Sequence, residues 1–273
     1  AASASWASGV ASFLRKKLSR SSIARRTTAA VTSSGTAPLS YQWRKGGSTL
    51  SAQTNAALTL LSVSTNDAGN YDVVVTNIVG SVTSAPPATL TVNVPPFIST
   101  PPQSQTVVSG ANVNFSVGAG GTTPLNYQWR KNGSALNGQT NASLALPSVT
   151  TNEAGVYEVV VSNIAGSITS SPPALLTVNV PPFITAAPQS QTVVTGGNAN
   201  FSVSATGTAP LSYQWRKDGS TLAGQTTSTL ALLSVKTNDA GAYEVVISNV
   251  AGSVTSAPPA NLTVNVPPSV TST

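Results

Sequence analysis

The stretch YQWRKNG at residues 127–133 decides the fold, and it nearly recurs as YQWRKGG at 41–47 and YQWRKDG at 213–219. Two aromatics beside an Arg-Lys pair, three times over in a chain of net charge +6, admit two readings. They could form a repeated nucleic-acid-binding stripe, or they could be the inside of a repeated domain. Spacing separates the two. Trp43, Trp129 and Trp215 stand 86 residues apart, as do Tyr71, Tyr157 and Tyr243, and again Pro95, Pro181 and Pro267. A fixed period of that size means copies of one module. It predicts repeats over 27–95 (incomplete at its start), 96–181 and 182–266, with the start of a fourth at 267–273.

Within one period the pattern is short strands broken by turns. Val113, Phe115 and Val117 alternate with polar residues, as a half-buried strand requires. The run 125–131 alternates likewise and ends at Asn132-Gly133, a strong hairpin signal. Leu144 and Leu146 mark another strand, and residues 155–163 form the most strand-like run. Pro172-Pro173 interrupts the last run and confines it to a sheet edge or a bulge, since neither residue can donate to a ladder. About seven strands per period without helical periodicity predict an all-β chain of tandem antiparallel sandwiches.

Composition excludes several chemistries. With no His and no Cys, Ser-His-Asp triads, Cys nucleophiles and the usual zinc or copper sites are absent. No cofactor, metal or catalytic residue is expected, and no apolar run reaches the ~18 residues of a membrane-spanning helix. The charge is local. Arg15, Lys16, Lys17, Arg20, Arg25 and Arg26 are six of the thirteen basic residues, whereas the chain from residue 31 onward is neutral. A neutral body cannot neutralise phosphates, so no nucleic-acid partner is expected.

The repeat resembles the immunoglobulin-like fold, nearest to its intermediate-set type. Trp129 followed by RKNG is similar to the third-strand signature of that family, and NEAGVYEV at 152–159 to its Asp-x-Gly-x-Tyr-x-Cys signature. The resemblance implies a core of Trp43, Trp129 and Trp215 with the corner tyrosines Tyr71, Tyr157 and Tyr243. It also implies that valines stand where the family disulfide would be: Val31 with Val73, Val117 with Val159, and Val203 with Val245. A disulfide contributes about 2–4 kcal/mol, and burial of about 1.5–3 kcal/mol per valine offsets part of its loss. Cysteine-free copies of this kind look like tandem domains of large bacterial surface or secreted proteins, located outside the cell or at its surface.

That resemblance answers the opening question. Side chains alternate along a strand, so Tyr127 and Trp129 face inward while Arg130 faces out. Family geometry then places Glu158 diagonally across from Arg130 as an ion partner, with Arg44–Asp72 and Arg216–Glu244 as equivalents. An exposed pair of the Arg130 kind contributes about 0–1 kcal/mol. Asp67, Glu153 and Asp239 are expected to satisfy backbone N–H groups in the corner turn. The sequons at Asn114, Asn132, Asn141, Asn200 and Asn261 are what so Asn-, Ser- and Thr-rich a chain holds by chance.

Pro95-Pro96 and Pro181-Pro182 read as short semi-rigid spacers, each followed by a Phe (Phe97, Phe183) that pins the next strand. Residues 1–26 break the pattern. Trp6, Val10, Leu14 and Leu18 with Phe13 would line a basic amphipathic helix, and the competing reading is a disordered or out-of-frame piece. The functional expectation is a non-enzymatic stalk or adhesion segment whose partners are neighbouring repeats and at most a protein or glycan ligand. The alternative is a spacer or carbohydrate-binding accessory to a secreted polysaccharide-degrading enzyme.

Overall fold

The computed structural model describes residues 3–7 and 26–269. The chain is all-β, and its contacts gather it into two compact units. One comprises residues 1–102, 116–142 and 158–172, and the other 103–115, 143–157 and 173–273, so the division passes through the second repeat.

In the second unit the third repeat shows the plan. Its larger sheet runs Gln191–Val194, Ala260–Asn265, Gly241–Asn249, Ser212–Lys217, Ser220–Thr221, with Gly252–Thr255 also paired to Gly241–Asn249. Facing strands Ala199–Ser202 and Thr229–Leu232 pair antiparallel, and Phe183–Ala186 pairs with Ser204–Thr206. The alternation Ala199, Phe201, Val203 turns one face of its strand inward, where it meets Trp215, Tyr243, Val245 and Leu262. Burial of that apolar face is what holds the two sheets together. The Asp218-Gly219 turn has φ of 47° and 79°, and Asn132-Gly133 and Gly46-Gly47 match it. Positive φ at both centres makes this the tight hairpin whose twist suits the strands.

The proline pair acts as a bulge. It divides the last strand into Gly166–Thr169 and Ala174–Asn179, both antiparallel to Gly155–Asn163. Residues 170–173, between the two pieces, fall outside the strand ladder.

The first repeat, in the first unit, has a core of Trp43, Leu58, Tyr71, Val73, Val75 and Leu90. Its sheet begins differently. In the later repeats Gln105–Val108 and Gln191–Val194 run parallel to the last strand, whereas Ser3–Ala7 takes the same edge in the antiparallel sense, Trp6 opposite Leu90. Trp6 therefore belongs to a strand, which corrects the helical reading at that residue; Val10, Phe13, Leu14 and Leu18 lie outside the described residues. The second strand, Arg26–Ala30, forms despite its weak apolar pattern because Ala57–Leu61 pairs with it over five residues.

Candidate functional site

Trp129 and Trp215 are fully buried and Trp43 nearly so. Each indole N–H donates to a backbone carbonyl twelve residues on, of Asn55, Asn141 or Thr227, at 2.9 Å. With its ring enclosed and its one donor used, none of the three can stack on a base or a sugar. The corner tyrosines are equally enclosed, and each hydroxyl donates at 2.7 Å to the carbonyl four residues back, of Asp67, Glu153 or Asp239. Burial raises the Tyr243 pKa to about 12, reinforced by Asp239 and Asp218. Tyr71 and Tyr157 shift the same way, first through burial and then through Asp67 and Glu153.

Of the six valines expected at the disulfide positions, Val73, Val117, Val159, Val203 and Val245 are buried. Val31 differs. It follows the end of its strand and is only half-buried, packed at the rim of the first core where the covering strand of the later repeats has no described counterpart.

The charged groups pair locally. Arg216 lies directly opposite Glu244 in the ladder, as Arg44 does Asp72, which corrects the diagonal placement. Arg44 Nε reaches Asp72 Oδ1 at 2.6 Å, and this hydrogen bond holds the Arg44 pKa above its ordinary value. Where the acid is Glu the contact loosens, to 3.7 Å for Arg130–Glu158 and 3.8 Å for Arg216–Glu244, and Arg216 Nε is left buried without a partner. The longer glutamate overshoots the position from which Asp72 meets Nε. The corner acids accept backbone N–H groups, Asp67 from Ser64 at 2.8 Å, Glu153 from Thr150 at 2.7 Å and Asp239 from Lys236 at 2.7 Å. Among the described residues no three of His, Cys, Asp and Glu gather as a metal site would require.

Two features escaped sequence reasoning. The first is a buried serine in the proline bulge. Ser170 Oγ accepts from Val159 N at 3.0 Å, while Ser170 N donates to Val159 O at 2.9 Å, and Ser84 and Ser256 serve Val73 and Val245 in the same way. One serine thus satisfies both backbone groups that the bulge strands.

The second lies at the joints. Val94, just ahead of Pro95-Pro96, donates its N–H to Thr122 Oγ1 at 2.8 Å and accepts from Thr122 N at 3.0 Å. Asn163 Nδ2 bridges Val94 O and Thr122 O at 2.8 and 2.9 Å, and its Oδ1 accepts from Ala165 N. At the next joint Val180, Thr208 and Asn249 repeat the set at 2.7–2.9 Å. Gly121 (φ +136°) and Gly207 (φ +144°) let the chain come this close, since a Cβ would stand 2.9–3.0 Å from the Pro95 or Pro181 carbonyl. Phe97 and Phe183, expected to pin the next strand, are 52% and 67% exposed, and the Phe97 ring covers Gly120, opposite it in the ladder. The signal available in the sequence was the 86-residue recurrence of Asn77, Asn163, Asn249 and of the Gly-Thr pairs.

Paired antiparallel sheets enclosing one Trp and one corner Tyr per repeat define immunoglobulin-like sandwiches. The chain belongs to the Immunoglobulin domain family, whose sequence profile matches residues 95–163 and 181–249, half of its length. It is 29% identical to human hemicentin-1 over 269 residues, covering 90% of this chain and 5% of that protein. It is 29% identical to human roundabout homolog 3 over 253 residues, covering 81% of this chain and 18% of that protein. It therefore spans a small fraction of these relatives, and both are animal proteins. An I-band fragment of titin superposes with a TM-score of 0.71 at 22% identity, covering 90% of this chain and 93% of the fragment. Sidekick-1 immunoglobulin domains 1–4 follow at 0.53 and 16%, covering 88% and 94%. At such identities the superpositions speak for the fold alone.

Proposed function

We propose that the chain is a non-enzymatic spacer of three immunoglobulin repeats, 27–95, 96–181 and 182–266, working outside the cell or at its surface. Its load-carrying feature is the clasped joint. The observation that carries this reading is the identical hydrogen-bonding set at Val94 and at Val180, each supported by a Gly-Thr turn and an Asn from the following repeat. Two prolines limit the linker backbone on one side, and the clasp fixes the residue before them on the other. The same spending of Trp, Tyr and Arg on internal contacts in all three repeats supports a non-catalytic reading. The bacterial surface setting rests on the cysteine-free cores, and its counterpart among the relatives above is animal.

The test is amide exchange and 15N relaxation on the chain and on Asn163→Ala and Asn249→Ala. In the parent, the Val94, Thr122, Val180 and Thr208 amides should exchange slowly, and the residues on either side of each joint should share one tumbling time. Each substitution should speed exchange at its own joint by roughly tenfold, the equivalent of about 1.4 kcal/mol. Unchanged exchange in both variants would rule out the clasp.

A further inference from the structure

The second repeat holds two Asn-Gly dipeptides, at 132–133 and at 137–138. An Asn side chain is open to attack by the backbone nitrogen of the next residue, and a glycine there puts no Cβ in the way. The second dipeptide lies in a turn. Gln139 N donates to Leu136 O at 3.1 Å and Gly138 takes a φ of +75°, which makes residues 136–139 a type II turn. Asn137 and Gly138 are both exposed, and a Cβ on Gly138 would meet nothing within 4 Å. The peptide group between them is idle. Among the described residues the Asn137 carbonyl, the Asn137 side chain and the Gly138 N–H make no hydrogen bond.

The first dipeptide is tethered. Lys131 and Ser134, on either side of it, pair in the ladder. Gly46 and Asp218, in the place of Asn132, donate their N–H groups to Asn70 O and Ala242 O at 2.8 Å, and Asn132 has a partner as well.

The turn at 136–139 brackets the strand of the core tryptophan. Leu136 N donates to Trp129 O at 2.9 Å, Trp129 N donates to Gln139 O at 3.0 Å, and Gln128 Nε2 donates to Leu136 O at 2.7 Å. The other repeats build the same bracket around Trp43 and Trp215, with Ser51-Ala52 and Ala223-Gly224 in the turn. Ala52 takes up the positive φ there, at 60°. Neither turn has an Asn, so of the three repeats only the second can react at this place.

We propose that Asn137 is a self-modifying site, where the folded second repeat deamidates and converts in part to isoaspartate, loosening the bracket around Trp129. Solvent base takes the Gly138 amide proton, and that nitrogen bonds to Asn137 Cγ. The tetrahedral carbon expels its amino group, which takes a proton from water and leaves as ammonia, and a five-membered imide remains. Water then opens the imide. Cleavage of the Cγ–N bond gives an ordinary aspartate on an intact main chain. Cleavage between the Asn137 carbonyl carbon and the same nitrogen routes the main chain through Cγ. Aspartate only adds a negative charge to an exposed turn. Isoaspartate also inserts Cβ into the main chain between Leu136 and Gln139, so the turn closure and the bond from Trp129 N to Gln139 O cannot both be kept.

The whole chain is incubated at neutral and mildly alkaline pH, and conversion is located by fragment-ion mass spectrometry and by enzymatic methyl labelling of isoaspartate. Asn137 should convert before any other Asn, faster as pH rises because the attacking nitrogen must lose its proton. Its rate should lie within about tenfold of that in the urea-unfolded chain, since an exposed turn opens at little cost. Asn137→Ala should abolish labelling at 137 and Gly138→Ala should slow it; both keep the turn, because Ala223 and Ala52 hold those positions in the other repeats. In the converted chain the Trp129 and Gln139 amides should exchange roughly fivefold faster, the scale of one hydrogen bond, with Trp215 and Gln225 unchanged. Asn137→Asp, which adds the charge without lengthening the chain, should leave Trp129 exchange as it was.

Earlier conversion at Asn132 or at any other Asn would overturn the proposal, as would a folded-state rate further below the unfolded one. So would isoaspartate at 137 with Trp129 exchange unchanged, or an Asn137→Asp variant that exchanges as fast as the converted chain.

Discussion

Replacing Ser170 by alanine removes one oxygen and isolates one buried donor. Val159 is fully enclosed and Ser170 is 3% exposed, so no solvent reaches the Val159 N–H once Oγ is gone. The hydrogen bond lost is 3.0 Å long, and the neighbouring ladder cannot replace it because Pro172-Pro173 has moved the strand aside. An unsatisfied buried donor costs about 1–3 kcal/mol. In a domain of this size each kcal/mol lowers Tm by roughly 4–8 °C, so the second repeat should melt about 5–20 °C earlier. Because three repeats need not unfold together, the assay is hydrogen exchange resolved by peptide, read over residues 155–163 and compared with 241–249 of the third repeat. Exposed Ser167→Ala is the control. If Ser170→Ala shifts the second repeat by less than about 0.5 kcal/mol, a typical surface effect, the serine is not what satisfies the bulge.

The paired valines support a disulfide test. Val203→Cys with Val245→Cys places two thiols in one buried cluster, and oxidation should stabilise the third repeat by about 2–4 kcal/mol; thiols still titratable after air oxidation would show that these are not the disulfide positions. High pH should unfold the chain through its corner tyrosines. Their folded pKa values lie above the ordinary 10, up to about 12 for Tyr243, so the folded state holds protons that the unfolded state has released. Stability is then intact below pH 10 and falls as pH rises between 10 and 12. Absorbance at 295 nm should show three tyrosines ionising late and together with loss of tryptophan burial; six tyrosines titrating alike in a folded chain would contradict this.

Sequence alone determined the repeat, the all-β class and the inward face of YQWRK, because alternation and an 86-residue period are one-dimensional signals. The hairpin at Asn132-Gly133 was legible for a similar reason: positive φ at two successive residues restricts the choice of residues. Ladder register, which tertiary pairing sets, moved Glu244 and Asp72 from a diagonal place to positions directly opposite Arg216 and Arg44, and made Asp and Glu unequal partners. Ser170 was invisible in a Ser/Thr-rich run, since its role exists only where a bulge strands Val159. Nothing local in the sequence marked Asn163, because its partner Val94 lies 69 residues earlier. The N-terminal strand could not be foreseen either, for an open sheet edge accepts a short strand in either direction, and the backbone hydrogen bonds that hold it carry no residue signature. What the sequence wrote as a repeated list, the fold converted into joints, because hydrogen bonds between distant backbone groups depend on where folding brings them.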